Sequence, residues 1–400
     1  MGETRTKKTG KKPKPCGSSS ALKNSIGVLD EVVAKSSNNR PPSTISFEQA
    51  PPRPYDTSLI QIEKTANKGY GVFAARKIPA GTLCLVEAPL IRLTPSEDVG
   101  TDEQRQLYIQ HYYEALPTHS QKDYRHLCDT KKADFTRRMS IFYSNCYDMK
   151  HYGGGACIGE IASRINHCCT PNVVFSFAET LPGSLFTGDK KDVPRPSQAS
   201  VGFMVFHAIK DISKGKELVS NYQSIWRLTP ERQAEMSIHY RFRCDCMACE
   251  QDSPGQDGDR RRRNMIKYRN IVLTADKELT MSRKEWLMRQ GQMSESERHE
   301  DLYSWLRSQV VQDKVSTALE KLTALAQLLP KEGIHGGHDL ANIYKDLAKW
   351  SMRADDEVAA NKWLQSELEI CTKSFGSWSE RVKEIHERQP GWWLIGLDKE

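Results

Sequence analysis

Three cysteines within six residues constrain the fold of this 400-residue sequence more than any other feature. Cys244, Cys246 and Cys249 have the close spacing that is typical of metal ligands. Structural zinc is tetrahedral and takes four ligands, so a zinc site here must recruit a fourth ligand from a distant part of the chain. Cys168 and Cys169 are the candidates. A redox pair or uncommitted thiols are the alternatives.

The cellular setting follows from the cysteines and from the apolar residues. The N-terminal residues are lysine-rich and lack the apolar stretch of a secretory signal. We therefore expect the 11 cysteines in a reducing compartment, the nucleus or the cytoplasm, where clustering indicates metal binding rather than disulfides. No run of eighteen apolar residues occurs, so we expect no transmembrane helix and no membrane association.

The positive charge is concentrated in the first residues. The net charge is +7, and residues 1–15 carry six basic side chains against one acidic one. The rest of the chain is close to neutral, so we expect no sequence-specific DNA binding. Residues 1–55 are rich in Lys, Ser, Asn and Pro and are predicted to be disordered. A nuclear-import address, a weak contact with polyanions and a simply solvated tail all remain open for this segment.

Short strands alternate with turns before residue 223, and a helical segment interrupts them. Alternation predicts strands at 58–63, 70–75, 82–86, 201–207 and 217–221. Residues 101–150 are predicted helical, and residues 176–200 a long loop.

From about residue 260 the pattern is helical. Val315, Leu319, Leu322, Ala326 and Leu329 follow the spacing of an apolar helix face. Similar faces recur at 340–351 and 360–368, which favours helical hairpins of the tetratricopeptide kind. A plain helical bundle is the alternative.

Three further clusters carry side chains suited to chemistry. Lys68-Gly69-Tyr70-Gly71 is a turn whose glycines let a ligand approach the backbone. Six polar or reactive residues crowd into Arg164–Asn172, more than core packing requires. Tyr222 ends the strand Glu217–Tyr222. With an ordinary pKa of about 10, its hydroxyl is a poor base at neutral pH but can orient an amine.

These clusters, in this order, resemble the motifs of SET-domain proteins. Lys68–Ala74 is similar to the opening motif, and Arg164–Asn172 to Arg-x-x-Asn-His-Ser-Cys-x-Pro-Asn, with Cys168 in place of Ser. Gly215–Tyr222 is similar to Gly-x-Glu-Leu-x-x-x-Tyr, and Cys244–Cys249 to the post-SET Cys-x-Cys-x-x-Cys. The likeness covers about residues 57–250 and is greatest to the SET-and-MYND group, although a MYND zinc finger is missing.

The resemblance implies an α+β architecture built on a β-rich SET fold with a knot-like core. Its expected parts are a basic tail at 1–55, the SET domain at 56–223 with a helical insertion at about 95–150, a post-SET zinc segment at 224–256, and an all-α, tetratricopeptide-like region at 260–400.

The resemblance also implies an activity, a protein-lysine methyltransferase using S-adenosylmethionine and structural zinc. Tyr222 would be catalytic. The residues implied in cofactor binding are Lys68, Gly69, Tyr70, Asn145, Asn166, His167, Tyr222 and Phe242. Those implied as zinc ligands are Cys169, Cys244, Cys246 and Cys249.

The expected partner is a protein substrate with a target lysine, on a histone tail or elsewhere, and the expected state is a monomer. The alternative is an inactive SET-fold scaffold, a chromatin-associated interaction protein. Residues 5–12 are also similar to the start of a core histone tail, which makes Lys7 and Lys12 candidate automethylation sites, although chance similarity is the simpler account.

Overall fold

The computed structural model describes residues 56–131, 135–186, 202–250, 253–290, 295–389 and 391–394. The elements discussed below lie in one compact unit. The predicted disordered tail at 1–55 lies outside the described residues, as does most of the predicted loop at 176–200. The first residues of that loop prediction are wrong, because the strand before it continues to Ala178.

Short strands build the first part of the chain. They are β1 (Ile60–Lys64), β2 (Tyr70–Ala74), β3 (Leu83–Glu87), β4 (Ile91–Leu93), β5 (Tyr147–Asp148), β6 (Ala156–Ile158), β7 (Asn166–His167), β8 (Val173–Ala178), β9 (Phe203–Ala208) and β10 (Val219–Ser220). They form four small sheets in the described residues: β1-β2, β3-β9-β8, β4-β6-β5 and β10-β7. The first three are antiparallel, and β7 and β10 run parallel.

The β3-β9-β8 sheet contributes side chains to two hydrophobic clusters. Every residue of β9 is buried, because this middle strand is covered on both faces. One face packs into a core that includes Leu85, Phe206 and Ile165. That core therefore holds the segment just before β7 in place.

The helical insertion has a core of its own. Its helices are α1 (Pro95–Asp98), α2 (Asp102–Ala115), α3 (Thr118–Arg125) and α4 (Arg137–Asn145). Thr101 and Gln104 form a capping box that starts α2. Tyr113, Tyr124 and Phe142 pack in a cluster with the β4 and β6 side chains. The helical prediction for 101–150 is confirmed as far as Asn145, after which the chain returns to β5.

From Thr229 the described chain is largely helical, and the three clustered cysteines lie between the first two of its helices. Its helices are α5 (Thr229–Glu235), α6 (Ser253–Gln290), α7 (Glu295–Leu306), α8 (Gln309–Lys331), α9 (Gly337–Arg353), α10 (Glu357–Phe375) and α11 (Glu380–His386). Among the described helices, none has both the length and the apolar character that crossing a bilayer requires.

The buried face of α8 differs slightly from the predicted one. Leu319 and Ala326 are only half-buried. The buried positions are Val311, Val315, Ala318, Leu322, Leu325 and Leu329. This stripe alternates steps of four and three, the spacing of one α-helix face, and α8 packs against both α6 and α9.

Candidate active site

The parallel pairing of β7 with β10 brings two distant motifs together. Asn166 lies opposite Val219, and His167 opposite Ser220. Asn172 fastens the pair, since its Nδ2 donates to the Glu217 carbonyl (2.8 Å) and its Oδ1 accepts from the Val219 N–H (2.8 Å). The side-chain amide of an asparagine offers a donor and an acceptor, as a peptide group does. Asn172 therefore makes the kind of hydrogen bonds to the β10 segment that a longer β7 would make through its backbone.

His167 connects the tyrosine to the cysteines. The Tyr222 N–H donates to His167 Nδ1 (3.1 Å), which places the imidazole proton on Nε2. His167 Nε2 lies 3.3 Å from Cys169 Sγ and donates to it. Burial lowers the pKa of His167 to about 4, so the ring is neutral at physiological pH.

The Tyr222 hydroxyl is a donor. It donates to the Ile165 carbonyl at 2.7 Å. Burial raises the pKa of Tyr222 well above its ordinary value, so the phenol keeps its proton. The ring lies 5.0 Å from that of Tyr240, centroid to centroid. The group can therefore orient a polar partner but cannot remove a proton from it.

Asn166 joins the opening motif to the β10 segment. Its Nδ2 donates to the Tyr70 carbonyl (3.2 Å) and to Glu217 Oε1 (2.6 Å). Tyr70 is 55% exposed, so this edge is open to a ligand. Sequence reasoning did not select Glu217 as a site residue, although the Gly-x-Glu-Leu motif contains it. Gly71 makes room for it, since a Cβ there would lie 2.6 Å from the carboxylate oxygen.

Of the other predicted cofactor residues, Lys68 and Phe242 lie near the cysteine segment and His167, whereas Asn145 lies at the end of the insertion. Lys68 forms an ion pair with Asp245 (3.6 Å), which connects the opening motif to the cysteine segment. The Phe242 ring lies 6.1 Å from that of His167. Asn145 instead donates to the carbonyls of Cys128 and Ile141, both at 2.7 Å. Its amide nitrogen thus holds the end of the insertion.

Four cysteines meet beside His167. The sulfurs of Cys169, Cys244, Cys246 and Cys249 all lie within 4.8 Å of one another. A tetrahedral zinc with sulfurs at about 2.3 Å would hold them roughly 3.8 Å apart, so the set fits a structural zinc ion. The cysteines form no disulfide. Cys168, the other candidate, has its sulfur 3.3 Å from the Thr170 hydroxyl instead.

Two buried arginines support the cysteine cluster. Arg232 Nη2 donates to the Ala248 carbonyl (2.6 Å) and lies 3.6 Å from Cys249 Sγ. A cation here would offset the negative charge that four thiolate ligands would bring to a metal ion. Arg262, on α6, lies with its Nη2 3.5 Å from the Cys169 carbonyl. The C-terminal helices thus contact the cluster directly.

Comparison with known proteins shows a match to one protein family. Residues 69–223 match the SET domain family. The chain is 29% identical over 220 residues to histone-lysine N-methyltransferase set5 of Schizosaccharomyces pombe, covering 54% of this chain and 58% of that protein. It is 23% identical over 210 residues to a SET domain-containing protein of Acanthamoeba polyphaga mimivirus, covering 46% and 74%.

The match to the fission-yeast protein thus spans less than two thirds of its length. Among solved structures, a candidate histone methyltransferase of Plasmodium falciparum is 15% identical and covers 42% of this chain and 98% of its own. The TM-score of that superposition is 0.23, which is too low to support an argument about fold.

Proposed function

Because this chain contains a SET domain at residues 69–223, we propose that it transfers a methyl group from S-adenosylmethionine to a lysine side chain of another protein. The observation that carries the proposal is the pairing of β7 with β10, which puts Asn166 and His167 beside the strand that leads to Tyr222. A scaffold without activity has no need for this arrangement of polar side chains around the Tyr222 phenol.

The open edge would bind the cofactor. S-adenosylmethionine, when bound, supplies a methyl group on a positively charged sulfonium. Lys68, Gly69 and Tyr70 are exposed at this edge, and Asn166 is held by its bonds to Tyr70 and Glu217. Phe242 offers an aromatic face near His167. Such fixed groups contribute mainly by orientation, because a displacement at a methyl carbon demands alignment of its partners.

The side chains around Tyr222 would receive the substrate amine. A lysine amine has an ordinary pKa of about 10.4 and must be neutral to act as a nucleophile. Burial between the rings of Tyr222 and Tyr240 favours the neutral form. The Tyr222 phenol remains protonated, so its role is to hold the amine by its oxygen and not to deprotonate it.

The cysteine cluster would be a structural zinc centre. Cys169, Cys244, Cys246 and Cys249 would be its ligands, which agrees with the packing of their sulfurs. The His167 Nε2–H donates to Cys169, which favours the thiolate form that zinc requires. The centre would join the segment after β7 to the chain that carries Phe242.

A hydroxyl deletion tests the proposed activity. Wild type and Tyr222→Phe would each be incubated with tritiated S-adenosylmethionine and a protein lysate, and cofactor binding would be measured by calorimetry. We expect Tyr222→Phe to lose nearly all label transfer and to keep cofactor affinity within about threefold, because the hydroxyl orients the amine.

Tyr124→Phe is the matched control. Its hydroxyl is also buried and also donates to a backbone carbonyl at 2.7 Å, but it lies in the insertion core. Both variants should lose about 1 kcal/mol of stability with the hydrogen bond, whereas only Tyr222→Phe should lose transfer. Full activity of Tyr222→Phe, or a wild type that binds no cofactor, would refute the proposal.

A further inference from the structure

The carboxylate of one glutamate bonds to the loop that precedes β7. Glu87, the last residue of β3, accepts hydrogen bonds from three successive backbone N–H groups. Its Oε1 accepts from Glu160 and from Ile161 (2.8 Å), and its Oε2 accepts from Ala162 (2.8 Å). Gly159 is required for this approach, because a Cβ there would overlap the carboxylate.

The loop held by Glu87 also holds the hydroxyls of two tyrosines. The Ala162 carbonyl accepts from the Tyr147 hydroxyl at 3.0 Å. Three residues later, the Ile165 carbonyl accepts from the Tyr222 hydroxyl at 2.7 Å. The Ile165 N–H donates to the Ala162 carbonyl (3.0 Å), so the two acceptors belong to one turn. A shift of this turn would move both hydroxyls.

We propose that Glu87 is a positioning residue, whose carboxylate sets the 160–165 turn and thereby the orientation of the Tyr147 and Tyr222 hydroxyls. The inference rests on the proposed methyl transfer for its effect on rate. An ionised carboxylate is suited to the task because it has acceptors only, enough for three donors. A glutamine or a protonated glutamic acid would turn a donor of its own towards one of the N–H groups.

The carboxylate changes its charge near physiological pH. Burial raises the pKa of Glu87 to about 7, although the three N–H groups oppose the rise. The charge of Glu160, on the same loop, raises the pKa further. Cys157 on β6 and Tyr147 on β5 also face it, and burial raises the pKa of each, so both are neutral. The turn is therefore held most firmly above neutral pH.

The test compares wild type with Glu87→Gln over pH 5.5 to 9. We expect kcat of Glu87→Gln to fall by about 10- to 100-fold, the cost of a misplaced reacting group, with KM for protein substrate changed less than about threefold. Wild-type kcat should rise with pH through about 7, and this step should vanish in Glu87→Gln. Hydrogen exchange of the 160–162 amides, corrected for intrinsic rates, should be faster in the variant.

Glu160→Gln is the matched control, because it removes a neighbouring charge and keeps the backbone N–H. Its plateau kcat should equal that of wild type, and its pH step should move to lower pH. Circular dichroism checks that Glu87→Gln is folded. If Glu87→Gln does not fold, the inference is tested by the shift of the pH step in Glu160→Gln and by the pH dependence of amide hydrogen exchange in wild type.

The outcomes separate the two proposals. A wild type without methyl transfer refutes the proposed function, while the exchange rates still test the contact itself. Unchanged exchange in Glu87→Gln, an unchanged kcat, or a pH step that survives in this variant would overturn the inference.

Discussion

A buried ion pair connects the C-terminal helices to the cysteine cluster, and breaking it should destabilise both. Glu332, just after α8, has a side chain only 2% exposed and accepts from Arg262 Nε at 2.9 Å. Arg262, 1% exposed, also donates to the Ile225 carbonyl at 3.0 Å and lies 3.5 Å from the Cys169 carbonyl. Without Glu332, the guanidinium would be a buried charge with only backbone partners.

The expected loss of folding stability follows from the burial of this ion pair. Removing one partner of a buried pair costs about 3–5 kcal/mol, because the other charge stays desolvated. Arg261 also bonds to Glu332 but is 32% exposed, so water replaces much of its contact and we add nothing for it. Glu332→Gln should therefore destabilise by about 3 kcal/mol, since glutamine keeps an acceptor but not the charge.

Urea unfolding monitored by tryptophan fluorescence measures the change. The control is Lys383→Gln, which removes a pair 53% and 83% exposed and should cost less than about 0.5 kcal/mol. Glu332→Leu combined with Arg262→Met should be more stable than the summed single losses predict, since no lone charge remains. Zinc release to a chelator should also be faster in Glu332→Gln. A loss no larger than that of Lys383→Gln would refute the reasoning.

Three further predictions concern the site. Gly71→Ala should weaken S-adenosylmethionine binding in calorimetry by about tenfold, because its Cβ would displace the Glu217 carboxylate; unchanged affinity would contradict this. The folded-state pKa of Glu87 is raised from 4.5 to about 7, so the folded protein binds the extra proton and stability should fall by about 3 kcal/mol as pH rises through this range. Thermal melts of wild type against Glu87→Gln check the sign. Cys246→Ser should lower bound zinc, by elemental analysis, to well below one per chain, whereas Cys168→Ser should retain it.

Local patterns in the sequence were sufficient for the family and for five of the strands, but they did not predict β4 to β8. The order of the glycine turn at Lys68–Gly71, the Arg164–Asn172 cluster and the strand ending at Tyr222 predicted a SET domain, and the family match confirms it. The helical periodicity before Asn145 predicted an insertion in the strands. Such features are readable because turn chemistry, apolar spacing and ligand spacing are properties of neighbouring residues.

The tertiary structure decided which distant groups meet. Cys168 and Cys169 are adjacent and chemically identical, and only the path of the backbone after β7 directs the second sulfur to the other three cysteines. Glu87 lies 73 residues before the first N–H group that it accepts from, and the buried pair of Arg262 with Glu332 spans 70 residues. Such contacts join one side chain to one distant group, so they leave no periodic pattern in the sequence. They depend on packing of the whole chain, which also sets the burial that raises the pKa of Glu87.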